Sequence, residues 1–518
     1  MNFLFRLSNW LHKYAGLVLI LFLAWMSLTG VLMNHPDLIS GLSVPRGLVP
    51  EHYHIRDWNR SGMTDVVFSE RDSSVAYGGG RLGVWKSTDG GATFRPLEDG
   101  FPESRYYRKT ADIFLWEGDT SLLLAGTARG LYGCDPAGER WEAIPLGAEP
   151  ESVRKILRVR DALVVLTESH AFASPLPPAE LRFERRPFTR ITGDRRVTLV
   201  RLFFDLHDGK VWGMPGRLLF DAAGLILFFL SLSAFYSWYY PWKRRREKAA
   251  GKAPRSKRVR RAFKWFFKYH LKLGIWTAAI LLIIGGTGLF MRPPLLVALV
   301  GGDIPAAAFP GPLPDNPWDK KVQNALYDPV SERIVIAATD GLWAGPADFR
   351  GPFAPLDLDV PIFVMGATVF EPHGAGGYRV GSFNGLYHWQ REDGRSVDLL
   401  TGRPAENVSA VRPGDVMVTG YFETPEGDAF INTHEQGILP VGTGERAGRF
   451  AMPEEAVTGY RMPLWNWLFE IHNGRFFKGL IGSLYILVVP LGSLLFLLIT
   501  LSGVYDWVYL NVLRKSQR

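Results

Sequence analysis

The sequence predicts a membrane α-helical four-helix bundle, built as a duplicated two-helix unit, with mainly β, propeller-like insertions outside the membrane. Three observations predict it: four long apolar runs without a formal charge, a repeat that relates the first run to the third and the flank of the second to that of the fourth, and two long polar segments with short strand-like stretches and Gly-rich turns. The 518 residues are 47% hydrophobic and 13% aromatic, enough for several cores.

The runs are Ala15–Met33, Ala222–Trp242, Leu273–Met291 and Leu480–Tyr505. Each is long enough to cross about 30 Å of hydrocarbon at about 1.5 Å per residue. Arg6 and Lys13 precede the first run as they would in a signal peptide, but the run is long for that purpose and exits into Met33-Asn34-His35-Pro36 rather than a small-residue cleavage site. It is expected to remain as a helix. Lys243 to Lys268 is crowded with Lys and Arg and holds one acid, Glu247, and the tail ends Arg514-Lys515-Ser516-Gln517-Arg518. Positive charge marks the cytoplasmic side, so both termini and this loop are expected inside.

The predicted organisation is an N-terminus and first helix over 1–36, an outer β-rich segment over 37–205, a second helix over 206–242, a basic loop over 243–268, a third helix over 269–293, a second outer β-rich segment over 294–470, and a fourth helix with the tail over 471–518. The net charge of +8 comes largely from the basic loop. A lipid bilayer explains it better than nucleic acid, which is not an expected partner. The single cysteine, Cys134, excludes an intramolecular disulfide and cysteine-rich metal sites.

Aligning His12 with His270 places Gly16 on Gly274, Thr29-Gly30 on Thr287-Gly288 and Met33 on Met291, at one constant offset. Phe204-Asp205-Leu206-His207-Asp208-Gly209-Lys210 matches Phe469-Glu470-Ile471-His472-Asn473-Gly474-Arg475 in kind at every position, and Trp238 corresponds to Trp507 after a shift of about one helical turn. Copies sharing one orientation imply a pseudo-two-fold along the membrane normal. Equivalent residues then share a depth: His12 with His270 near the inner surface, His207 with His472 near the outer.

The first outer segment contains Ser87-Thr88-Asp89-Gly90-Gly91-Ala92-Thr93-Phe94, which resembles the Asp-box turn of β-propeller blades. Gly-rich turns also close stretches such as Ser121–Tyr132 and Val380–Tyr387. About three blade-like sheets per segment are expected, with Asp89 stabilising a turn rather than performing catalysis.

An imidazole in or beside a spanning helix is expensive and therefore a functional candidate, the alternative being an interfacial anchor. Neutral imidazoles on facing helices can bind haem iron axially, or a metal ion; haem needs two histidines per level, whereas zinc wants further ligands. The distance from His12 to the far end of its helix is about 31 Å at about 1.5 Å per residue, so His207 must fold back toward the membrane for the levels to communicate. Gly209, Gly213, Pro215 and Gly216 provide the break. A second arrangement pairs His35 with His207. Asp221 is expected to act locally, His52-Tyr53-His54 is a weak metal signal on a strand, and Trp238, Trp242, Trp465, Trp467 and Trp507 are expected in the interfacial belt.

His12-Lys13-Tyr14-Ala15-Gly16 with Thr29-Gly30, and Leu206-His207-Asp208-Gly209 followed by Gly213-Met214-Pro215-Gly216-Arg217-Leu218-Leu219, resemble the PepSY-associated transmembrane helix family over the four helices and their flanks. Members include haem-containing inner-membrane proteins that reduce ferric-siderophores in the periplasm of Gram-negative bacteria. The resemblance implies a multi-pass bacterial inner-membrane protein with two haem b groups, ligands His12, His207, His270 and His472, and a ferric chelate or other periplasmic redox partner as acceptor. The expected donor is cytoplasmic or a quinol. The outer segments depart from the small α/β PepSY domain, which leaves a rival class: a non-enzymatic receptor or assembly factor anchored by its helices.

Overall fold

A computed structural model describes residues 3–147, 149–176, 181–191, 193, 196–251, 256–374, 376–406, 408–442 and 449–514. The chain divides into a helical unit, Met1–Ile39 with Asp194–Leu313 and Leu464–Arg518, and a β unit, Ser40–Gly193 with Pro314–Pro463.

The α-helices in chain order are α1 (Phe3–Met33), α2 (Pro36–Ile39), α3 (Leu199–His207), α4 (Gly213–Ala249), α5 (Lys257–Gly288), α6 (Glu454–Thr458), α7 (Leu464–His472), α8 (Lys478–Ile481) and α9 (Val488–Val508). Among the described residues, four stretches are long and apolar enough to cross a membrane: Phe3–Met33, Lys210–Ala249, Lys257–Gly288 and Arg475–Leu513. The protein is a multi-pass membrane protein. Val18 and Leu21 on α1 stand 77% and 83% exposed, a lipid-facing surface that water would not tolerate at this density.

α1 and α5 each pack against both α4 and α9, so α1 lies diagonally across the bundle from α5, and α4 from α9. Leu19, Leu23, Leu227, Leu230, Leu281, Phe496 and Ile499 form the centre. Lipid tails are as apolar as leucine, so close packing rather than water exclusion holds these helices together. Small residues permit it: a Cβ on Gly492 would stand 2.4 Å from the Phe22 ring, and one on Gly285 would stand 2.9 Å from Phe496.

Most of the expected basic loop is helical. α4 continues through Arg246 to Ala249, and α5 starts at Lys257, where the Ser256 hydroxyl accepts the Val259 N–H at 3.4 Å. Lys and Arg are good helix formers, so charge ends the spanning stretch without ending the helix. The helical unit also takes in residues assigned by sequence to the outer segments, among them α3 and the Arg196–Thr198 strand that pairs antiparallel with Asp303–Pro305.

Among the described residues the β unit contains six antiparallel meanders, three from each of its two chain segments, spanning 65–96, 110–144, 153–185, 322–356, 369–398 and 418–440. Among the described residues the first five have four strands and the sixth has three. Successive sheets share apolar cores: Tyr77 with Ile113 and Leu123, Leu124 with Val153 and Leu163, Leu166 with Ala325 and Ile336, Leu326 with Phe370, and Leu386 with Val418. Each fully buried side chain of this size contributes about 1.5–3 kcal/mol. The sixth sheet meets the first through Phe422 on Phe450 and Phe450 on Phe94, while the Arg60 N–H donates to the His434 carbonyl at 2.9 Å. At the other junction of the two segments, the Val322 N–H donates to the Glu168 carbonyl at 3.1 Å.

Asp89 lies in the loop between two strands. Its Oδ1 accepts the Ser87 hydroxyl and the Thr93 N–H, both at 2.8 Å, which closes the turn between Gly83–Ser87 and Arg95–Pro96. Those bonds, led by the Thr93 hydroxyl, hold its carboxyl below the usual range. His52-Tyr53-His54 is not on a strand: Glu51–Tyr53 is a 3₁₀ turn, and His54 Nε2 lies 2.9 Å from the Val49 carbonyl oxygen.

Candidate functional site

The four repeat-matched histidines form two pairs inside the helical unit. His12 on α1 faces His270 on α5 with ring centres 6.3 Å apart and planes crossed at 75°. His207, last residue of α3, faces His472, last residue of α7, at 6.4 Å and 74°.

His207 and His472 reach the bundle because the chain turns sharply behind them. Gly209 and Gly474 both adopt the left-handed conformation at φ 79°, open to glycine without strain. At Gly209 the chain also passes close to the start of α4, where a Cβ would stand 2.6 Å from the Gly216 carbonyl oxygen. The turn points His207 at Thr287 on α5 and His472 at Thr29 on α1. His12 and Thr29 share a helix and lie about 25 Å apart at about 1.5 Å per residue, so the two pairs occupy separate levels.

Hydrogen bonds set the tautomer at both levels. His12 Nδ1 lies 2.8 Å from the Ile499 carbonyl oxygen, an atom that only accepts, so Nδ1 carries the proton. His472 Nδ1 lies 2.8 Å from the Thr29 hydroxyl, His207 Nδ1 3.0 Å from the Thr287 hydroxyl, and His270 Nδ1 2.9 Å from the Ser233 hydroxyl. Each hydroxyl gives its own proton to a carbonyl of its helix: Thr29 to Trp25, Thr287 to Ile283 and Ser233 to Leu230. Its lone pair is left to accept from the imidazole. Among the described residues, no hydrogen bond engages Nε2 of any of the four rings, and Nε2 keeps its lone pair in the Nδ1–H tautomer.

This donor set fits one class of cofactor. Metal-binding histidines commonly give their second nitrogen to a fixed oxygen, which orients the ring and raises its basicity. An ion bound at about 2.0–2.1 Å by two opposed imidazole nitrogens, each about 1.15 Å from its ring centre, would separate the ring centres by roughly 6.3–6.5 Å. Both pairs match. Among the described residues there is no cluster of three or more His, Cys, Asp or Glu able to hold a bare ion. A planar macrocycle that brings its own equatorial nitrogens needs only the two axial ligands each pair offers. A cavity of about 490 Å³ surrounds His12 and His270, with Gly16 and Gly274 in its wall one turn beyond each ring. A Cβ on either glycine would meet no atom closer than 3.8 Å, so both stand beside open space.

His35 does not join His207. Its Nε2 lies 2.8 Å from Asp221 Oδ2, while Asn34 donates to Asp221 Oδ1 at 2.8 Å, so Asp221 clamps the end of α1 to α4. His207 is already opposed by His472. Among the tryptophans, Trp238 stacks on Trp242 and the Trp465 N–H donates to the Met33 carbonyl at 3.1 Å, both near helix ends. Sequence reasoning passed over Ser233 and Ser502, which share the offset of Trp238 and Trp507; Ser502 Oγ lies 3.3 Å from His12 Nδ1.

The family model for the PepSY-associated TM region matches residues 9–509. The chain belongs to the PepSY-associated transmembrane family. The match of this PepSY-associated chain begins in α1 and ends just beyond α9, and so takes in both helix pairs. A comparison with curated proteins finds no significant match. Among solved structures, the chain is similar to the extracellular domains described for a one component system and for a hybrid two component system, both BT4673 from B. thetaiotaomicron. Both similarities have a TM-score of 0.34 and 11% identity over 76% of this chain. The chain spans 39% and 40% of those two chains, and likeness at this level supports no inference about fold or role.

Proposed function

We propose that this protein binds two haem b groups, one between His12 and His270 and one between His207 and His472, and passes electrons across the bacterial inner membrane to a periplasmic acceptor. A ferric chelate such as a ferric-siderophore is the acceptor class that follows from the family resemblance. The observation that supports this most is the recurrence, at both levels, of two opposed imidazoles with Nδ1–H committed and Nε2 open. Haem supplies the one-electron chemistry. The protein holds the rings in one tautomer, excludes water with the apolar centre around Leu227, Leu281 and Phe496, and places one pair at each level.

The basic ends of α4 and α5 would face the cytoplasm with both termini, and the β unit the periplasm. The six meanders would form a six-bladed propeller. The support is the cyclic order of sheet contacts, together with Asp65, Asp112, Lys155, Glu371 and Glu423, which come from the first strands of five sheets and act on one another electrostatically.

The test is the visible spectrum of the detergent-purified protein, oxidised and dithionite-reduced, with haem counted chemically. Two haems per chain, of which His12→Ala removes one and His207→Ala the other, are expected. A colourless protein after expression with added haem would overturn the proposal and favour the anchored receptor.

A further inference from the structure

The cavity around His12 and His270 continues toward the far ends of α4 and α9, and its wall there includes two residues that each carry a buried polar atom without a partner, Asp506 Oδ1 and Ser237 Oγ. Asp506 on α9 is 8% exposed; its Oδ2 accepts only a long hydrogen bond from Asn9 Nδ2, at 3.4 Å, and its Oδ1 accepts none. Ser237 Oγ on α4 is buried and also without a partner. Ser237 and Asp506 are repeat equivalents at the offset that relates Ser233 to Ser502, so the two groups approach one cavity from helices diagonal in the bundle. An unsatisfied buried carboxylate oxygen costs several times what an ordinary hydrogen bond contributes, and such groups persist where a ligand completes them.

The duplication sharpens the point. Asn9 and Lys13 on α1 and Asp506 on α9 line the cavity on one side, while their repeat counterparts Phe267 and Leu271 on α5 and Ser237 on α4 line it on the other. A structural role common to both repeats would not need an amide, an ammonium and a carboxylate gathered on one side of the cavity. The ligand must therefore be apolar enough to enter a lipid-embedded cavity, flat enough to lie against Phe267 and Leu271, and furnished with a hydroxyl for Asp506 and an oxygen for Ser237.

We propose that this end of the cavity binds a lipid-soluble hydroquinone, with Asp506 accepting the proton of one ring hydroxyl and Ser237 donating to the oxygen across the ring. The assignment rests on the haem-bearing function proposed above. In the reaction both O–H bonds break and both ring oxygens become carbonyls. The two electrons would be taken up one at a time by the haem that His12 and His270 would hold, with the ferric acceptor outside as the final oxidant. Asp506 takes the first proton, the second goes to water, and both are released at the terminal end beside Asn9 and Lys13.

The experiment uses the full chain in nanodiscs with an azido-substituted short-tail quinone as photolabel and decylubiquinol as reductant. Expected are saturable labelling of peptides that contain Asn9–Lys13 or Ser502–Asn511, competed by unlabelled quinone. Asp506→Asn should slow decylubiquinol-driven reduction of the chromophore at least tenfold, while dithionite reduction and haem content stay unchanged. Ser237→Val should weaken labelling without altering either. Labelling that does not saturate, or that is confined to the lipid-facing positions of α1, would overturn the proposal, as would an Asp506→Asn protein reduced by quinol at the parent rate. Absence of haem with site-specific labelling intact would instead overturn the function while leaving the binding site standing.

Discussion

Thr29 illustrates how much depends on a small side chain. Its hydroxyl proton goes to the Trp25 carbonyl and its lone pair receives the His472 N–H, so the ring's outward nitrogen is fixed as an acceptor. Thr29→Val keeps the shape and removes the bond; about 10–100-fold weaker cofactor retention at the outer level is expected, measured by haem loss to apomyoglobin. Ser233→Ala should act on the inner level alone. In the β unit, burial, followed by the adjacent Asp112 charge, raises Asp65 to about 7. Its unfolded value is about 3.9, so the native state holds a proton that the unfolded chain releases, and stability falls as pH rises from about 4 to 7. Asp65→Asn should flatten that dependence and raise the melting temperature at pH 8, which scanning calorimetry would check. The four histidines were legible because duplication marks them twice, and it marks Thr29 and Thr287 in the same way; the serines beside His12 and His270 were not legible. Ser233 and Ser502 lie in plain apolar runs, where serine is also tolerated as a helix residue that bonds back to its own carbonyls.

The elements were legible where composition is extreme. Three of the apolar runs became helices over most of their length, and the fourth, Leu480–Tyr505, became one only from Val488, after a short α8 and a 3₁₀ stretch at Gly482–Leu487; Lys243–Ala249 and Lys257–Lys268 read as loop and are helical, because charge reports where the membrane ends and says nothing about where the hydrogen-bond ladder ends. His52–His54 was placed on a strand by its alternation and forms a 3₁₀ turn after Pro50 instead. The turn behind His207 was readable from its glycines, and it yields a selective test. Gly209→Val puts a β-branched side chain at φ 79° with Cβ against the Gly216 carbonyl. Loss of the outer haem with retention of the inner one is expected, seen as half the parent's haem content and one remaining redox midpoint.

At the scale of the molecule, the sequence suggested two outer segments of about three sheets each that pack together, but not which residues join them, as Leu166 does with Ile336. Contacts between residues so far apart in the chain leave no local signal. Orientation is testable with cysteine labelling in a Cys134→Ser background. Asp119→Cys should react with an impermeant maleimide in intact spheroplasts, and Lys248→Cys only after lysis; the reverse pattern would contradict the assigned sidedness. The central claim is that two pairs of crossed imidazoles each hold a haem iron. Low-temperature electron paramagnetic resonance of the oxidised protein tests it most directly, because planes crossed at 75° and 74° dictate the anisotropy of the ferric signal. Two low-spin ferric centres of the highly anisotropic kind, one removed by His12→Ala and the other by His207→Ala, are predicted. High-spin ferric iron at both levels, or no haem signal at all, would contradict the account.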